Sequence, residues 1–401
     1  MKKVYVVGAK RSAIGSFMGT LSPMHPAQFG SQVLKKLIDE TKINVNQIDE
    51  VLVGNILPAG LGQGIARQVS ILSGVPVEVP ACAISMACGS GMKTVMNAYT
   101  SIALGMHHLV VAGGVESMSY APFLVPGSIR SGVKMGDQAM KDHMIYDALT
   151  DAFDGQHMGV TAERIAEKYG ISRAEQDAFA IYSQQKAAAA QDAGKFKDEI
   201  VPIIIPAKKG DITFDQDEYI NRATSLEKLS TLRPAFKKDG LVTAGNASGI
   251  NDGASFVILA SEDYIKQNNL KPLAEVIGIG QGGVDPSIMG LGPTPAIISA
   301  LKMAKLSLSD MDLIELNEAF AAQSLGVIKE LTDAFGLTKE KILAKTNLNG
   351  GAIALGHPVG ASGNRIMVTL LYQMMKSDAK LGLASLCIGG GMGTAIVLKK
   401  V

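Results

Sequence analysis

Charge is scarce in this 401-residue chain: charged residues make up 19% and the net charge is +1. So even a balance supplies no basic field of the kind that nucleic-acid binding needs, and an anionic ligand would have to be held by local groups. Three cysteines, an odd number, do not make a disulfide framework and fit a reducing cytoplasm, where they are to be judged as thiols. No uninterrupted apolar stretch approaches the roughly 18 residues of a membrane span. Met1-Lys2-Lys3 runs directly into the strand-like Val4–Gly8 without the apolar core of a secretory signal. The final Leu398-Lys399-Lys400-Val401 is not a peroxisomal address. None of the histidines sits in an H-E-x-x-H or C-x-x-C setting, so no metal site is expected.

Apolar residues, by contrast, reach 47%, which predicts a compact protein with much buried sheet and with subunit interfaces. The length calls for two or three packed units. A weak internal repeat organises them. Near the front, Gln47–Asn55 reads as a capped strand ending in Asn; near the back, Asp310–Asn317 has the same pattern. Cys88-Gly89-Ser90-Gly91 and a helical run from Met92 follow the first, and His357-Pro358-Val359-Gly360-Ala361-Ser362-Gly363 and a helical run from Arg365 follow the second. Each helix leads to an apolar strand with glycines: Leu109–Ala112 before Gly113-Gly114, and Leu383–Ile388 before Gly389-Gly390-Gly391. Short apolar strands alternating with amphipathic helices predict α/β layers around a largely parallel sheet. Two such halves, packed pseudo-symmetrically, would bring the Cys88 and His357 turns to one crevice. Between them, roughly Ser119 to Gly249, prolines and charged helices mark an insertion that covers one face of the core.

Three residues stand out chemically. Cys88 sits where a helix begins, and unsatisfied N–H groups there lower a thiol's pKa; its small neighbours would admit an acyl group. Alone, it fits a buried packing cysteine better. His357 precedes a proline, which keeps it extended and projecting, and a helix end favours its neutral form; a structural histidine explains it equally well. Cys387 precedes three glycines, which suit a close approach of ligand and backbone donors. Cys82, in an apolar setting, reads as a packing residue. Gly278-Ile279-Gly280-Gln281-Gly282-Gly283 matches a dinucleotide fingerprint after a strand, but runs into Val284-Asp285-Pro286 rather than a helix, so a nucleotide role is not expected.

Taken together, the blocks Cys88–Gly91, Gly113–Ser119, Asn317-Glu318-Ala319-Phe320, Asn349–Pro358 and Cys387–Gly391 resemble the thiolases, particularly their short-chain members. The resemblance covers nearly the whole chain. It implies an α/β protein with a five-layered α/β/α/β/α core: residues 1–118 with 250–272 as one half, 273–401 as the other, and 119–249 as an inserted loop domain that covers the site and binds CoA. It implies an acyltransferase that joins two acetyl-CoA into acetoacetyl-CoA and CoA, reversibly and by ping-pong steps through an acyl-cysteine. A degradative 3-oxoacyl-CoA thiolase and a non-catalytic acyl-CoA- or lipid-binding relative are the alternatives. By the same resemblance Cys88 is the nucleophile, His357 the base that activates it, and Cys387 the base for the α-proton. Asn317 positions a water beside His357 in one oxyanion hole, and the N–H groups of Cys88 and Gly389 form the other. Ser248 meets the pantetheine arm of CoA, Phe236 lies near its adenine and pantetheine, and His157, Met158 and Phe320 line the acyl pocket. Arg222 and Lys228 are basic candidates for the CoA phosphates that the resemblance itself does not assign. No tightly bound cofactor is implied beyond CoA as substrate carrier, and no nucleic-acid or membrane partner; the assembly is a homodimer or homotetramer in the cytoplasm. One departure is Ser85, where the family usually has Asn.

Overall fold

The computed structural model describes residues 2–401. Among them, eleven strands join into one sheet. In chain order they are β1 (Val4–Ser12), β2 (Gly15–Ser16), β3 (Glu50–Gly54), β4 (Ala81–Ile84), β5 (Leu109–Ser117), β6 (Ile200–Val201), β7 (Asn251–Ser261), β8 (Ala274–Gly283), β9 (Leu313–Leu316), β10 (Leu381–Ile388) and β11 (Met392–Lys400). The helices that matter here are α1 (Pro26–Thr41), α2 (Ser90–Ala103), α3 (Met158–Tyr169), α4 (Arg173–Asp192), α5 (Leu226–Ser230), α6 (Pro293–Ala304), α7 (Ala321–Phe335) and α8 (Val359–Met375). No described helix is long and apolar enough to cross a membrane.

The internal repeat is visible in the pairing. The sheet runs β9-β10-β11-β8-β1-β7-β5-β3-β4. Read outward from its middle, β1-β7-β5-β3 and β8-β11-β10-β9 share one pattern: antiparallel, antiparallel, parallel. The halves meet where β1 pairs antiparallel with β8. The sheet is therefore mixed rather than largely parallel, with parallel pairs toward its two ends and where the short β6 joins β1. The reason lies in the connections. A tight turn can join only antiparallel neighbours, and β10 turns into β11 through Gly389–Gly391, where Gly390 and Gly391 hold φ of 86° and 84°.

Alternating residues of the central strands feed different cores, so these strands are apolar on both faces. In the first half, Val111 and Ile258 pack with Phe29 and Leu34 of α1, while Val110 and Leu259 face Met92 and Val95 of α2. In the second, Leu383 and Val397 pack with Ile297 of α6 and Ile328 of α7, while Leu386 and Ile396 face Ile366 and Leu370 of α8. Helices α2 and α8 thus share one apolar cluster between the sheet halves, giving helix, sheet, helix, sheet, helix.

Glycine sets how closely the middle layer closes. A Cβ on Gly54 or Gly91 would lie 2.8 or 2.9 Å from the carbonyl oxygen of Gly360, and one on Gly114 would also collide with it. Backbone packs directly on backbone, which draws the first turn of α8 onto β3, β5 and α2. The dinucleotide-like glycines have the same explanation: they lie inside β8, where a Cβ on Gly278 would meet the Ala300 carbonyl of α6 at 2.5 Å. Cys82, expected to pack, is exposed on β4 at the sheet's edge.

The chain between β5 and β7 is tied back by Arg11. Its buried guanidinium bonds Asp217 at 2.7 and 2.9 Å and Glu199 at 2.6 Å. Removing one partner of such a buried pair costs about 3–5 kcal/mol, because a charge is left uncompensated.

Candidate active site

The Cys88 turn joins β4 to α2. Ala87 takes a φ of 41°, a left-handed conformation that is strained for a side chain with a Cβ. Ser90 holds it: its hydroxyl donates to the Ala87 carbonyl at 2.7 Å and accepts the Met86 N–H at 2.8 Å. Cys88 is left partly exposed. The backbone N–H groups of Gly389 and of Cys88 itself point at its sulfur and pull its pKa down, but desolvation dominates and, with the Glu116 carboxylate, pushes the thiol up to about 11. The expected lowering by the helix end is thus outweighed.

Beneath this turn lies Glu116 of β5. Its carboxylate accepts from Asn55 Nδ2 at 2.8 Å and from the backbone N–H groups of Ile56 at 3.1 Å and Gly360 at 3.0 Å. Burial pushes it up to about 8 against those donors. It thereby clips the start of α8 to the first half.

His357 stands just before α8 and is buried. The Ser362 hydroxyl donates to the Pro358 carbonyl at 2.9 Å, so it accepts from His357 Nδ1 at 2.6 Å. That network assigns the ring proton to Nδ1 and leaves the lone pair on Nε2, which faces Asn317 Nδ2 at 3.5 Å. Burial, reinforced by the Arg365 cation, lowers the imidazole pKa to about 3. The expectation of a neutral base at pH 7 agrees with this. Cys387 closes β10; burial pushes its thiol well above the usual range, and nearby Cys88 adds to that.

Cys88, His357 and Cys387 line one cavity of about 410 Å³. Ser248, His157, Met158, Phe236 and Phe320 also line it. His157 caps α3 and stacks on Phe236 at 4.5 Å, and Phe236 meets Phe320 edge-on at 6.0 Å. Asn317 and Gly389 do not line the cavity; the first faces His357 Nε2 and the second turns its N–H to Cys88. Ser362 and Glu116 are supports that the sequence does not mark as such, although both fall within its motif blocks. Tyr219, Leu149 and Phe17 are further walls of the cavity; as lone residues they carry no pattern that would mark them in the sequence.

The profile of the thiolase N-terminal domain matches residues 4–263, and that of the thiolase C-terminal domain matches residues 270–400. The chain belongs to the thiolase family. It is 52% identical over 399 residues to the acetyl-CoA acetyltransferase of Chromobacterium violaceum, covering 99% of this chain and 100% of that one. The structure of acetyl-CoA acetyltransferase from Syntrophomonas wolfei superposes with a TM-score of 0.96 at 42% identity, over 100% of both chains. Human mitochondrial 3-ketoacyl-CoA thiolase superposes with a TM-score of 0.94 at 44% identity, over 100% of this chain and 99% of that one. As a thiolase, the chain is an acyltransferase whose two sulfurs and imidazole share one pocket.

Proposed function

We propose that the chain joins two acetyl-CoA molecules into acetoacetyl-CoA and CoA, and runs the reverse thiolysis. The observation that carries this reading is the single cavity in which Cys88, His357 and Cys387 converge. In the proposed sequence, His357 Nε2 takes the Cys88 proton as sulfur attacks the acetyl carbonyl. Cys387 gives its proton to the departing CoA thiolate. The Cys387 thiolate then removes the α-proton of the second acetyl-CoA, and the carbanion attacks acetyl-Cys88. The imidazolium returns its proton to Cys88. A thiol with a raised pKa supports this role, since its thiolate is the stronger base toward a carbon acid. The N–H groups of Cys88 and Gly389 are suited to an oxyanion, a contribution worth about 10²–10³ in rate per donor, while Asn317 serves the opposite site beside Nε2.

CoA enters this reading through a second cavity of about 440 Å³, which shares Tyr219 and Ala244 with the first. Lys228 of α5 is the one cation lining it, whereas Arg222 is paired with Asp192 at 2.8 Å. Lys228 is therefore the better partner for CoA phosphates, with Ser248 and Phe236 along the arm and residues 119–249 as the cover. Assembly with a second copy is supported by the open outer edge of β4 and by the exposed Phe123, Met135 and Met140.

Initial rates of acetoacetyl-CoA thiolysis test the reading: parallel double-reciprocal lines support ping-pong transfer, and intersecting lines contradict it. Chain length tests the pocket. Met158 lies against Gly389 at the acyl end, so Met158→Ala should raise kcat/KM for a six-carbon 3-oxoacyl-CoA relative to acetoacetyl-CoA by about tenfold. An unchanged ratio would remove Met158 from the acyl wall.

A further inference from the structure

We propose that Asn251 is a positioning residue for His357. It is fully buried and opens β7. Its Oδ1 accepts the backbone N–H of His357 at 2.9 Å, and its Nδ2 donates to the Gly15 carbonyl at 3.0 Å. Gly356, at a φ of 107°, brings the backbone onto the amide so tightly that a Cβ there would lie 2.5 Å from Asn251 Cγ. The same residue stands where three walls of the cavity meet. Ser248–Ile250 line the cavity immediately before it, Ser16 pairs with it across β2, and His357 hangs from it.

The imidazole is thus clamped at both ring nitrogens by Ser362 and Asn317 and at its backbone by Asn251. Without the last contact the backbone that carries the ring loses its tie to β7, and the turn can shift Nε2 away from Asn317, which stays bonded to β10. A displacement of about 1 Å at a reacting group costs about 10² in rate. A residue that only held the fold together would instead lower stability, or weaken substrate binding along with turnover.

The test rests on His357 being the base for Cys88, and it uses acetoacetyl-CoA thiolysis by the full chain. Asn251→Ala is expected to lower kcat by about 10²-fold with KM within about threefold of wild type. Asn251→Asp keeps the acceptor for the His357 N–H and is expected to retain several times more kcat than the alanine variant. Its added carboxylate favours the imidazolium, so the acid limb of kcat/KM should move to higher pH. The other titratable groups around the turn do not change in that variant: Cys88 and Cys387 across the cavity, Glu116 under α8, Asp252 on β7 and Arg365 along α8. Should Asn251→Ala fail to fold, that shift carries the test, and an unmoved limb overturns the proposal. So does a kcat for Asn251→Ala within threefold of wild type, or a loss that appears only in KM. A wild-type chain that cleaves no acetoacetyl-CoA would instead sink the acyl-transfer reading itself.

Discussion

The turns before α2 and α8 hold equivalent places in the two halves, yet they are built to different ends. The first is half open: Cys88 and the strand leading to it lie along the edge of the sheet, and its one strained residue is braced by a single serine. The second is closed. His357 is buried, and its ring and backbone nitrogens all have partners. Both stand at the start of a helix, where a positive dipole end favours a thiolate and disfavours an imidazolium. For the histidine, burial and helix end act together; for the cysteine they oppose, and burial wins. In the proposed mechanism a neutral thiol and a neutral imidazole then share the resting cavity, and proton transfer accompanies the attack rather than preceding it.

The comparison breaks most completely at the open turn. Cys88→Ala should lower turnover by about 10⁴-fold or more while CoA still binds, as calorimetry would show. Cys387→Ala should lower thiolysis by about 10²–10⁴-fold, with rapid-quench mass measurement after mixing with acetyl-CoA still finding acetyl on Cys88. At the closed turn, Ser362→Ala frees the ring to take its other tautomer and should lower kcat by about 10–100-fold with KM little changed. The smallest effect is on stability. The folded imidazole titrates near 3 and an unfolded one near 6.5, so below about 6.5 the unfolded chain binds more protons and stability is lost as pH falls. His357→Gln should therefore shed part of the wild type's loss in urea midpoint between pH 7 and pH 4. Equal losses in both chains would mean that this histidine is not the buried neutral group described.

Much of this was legible in the sequence because glycine, proline and cysteine mark special backbone. The Cys88–Gly91 and His357–Gly363 turns were visible as helix starts, and both sulfurs and the imidazole do share a pocket. The sense of the strands was not visible. The sequence marks glycines 389–391 as ligand-facing backbone, but they are also the hairpin that makes β10 and β11 antiparallel. The exposure of Cys82 depended on which strand ended the sheet, which an apolar setting cannot reveal. The sign of the Cys88 shift depended on how densely distant segments pack around one sulfur, and a single-position argument from the helix end misses that. Asn251 joins Gly15 to His357 across 236 and 106 positions, a link no local pattern encodes.

Intact mass after mixing with acetyl-CoA tests the shared pocket most directly. One acetyl adduct per chain is predicted, located on Cys88 and formed far more slowly when His357 is replaced. An adduct on another residue, or one formed at the same rate without the imidazole, would mean that the two turns do not act on each other.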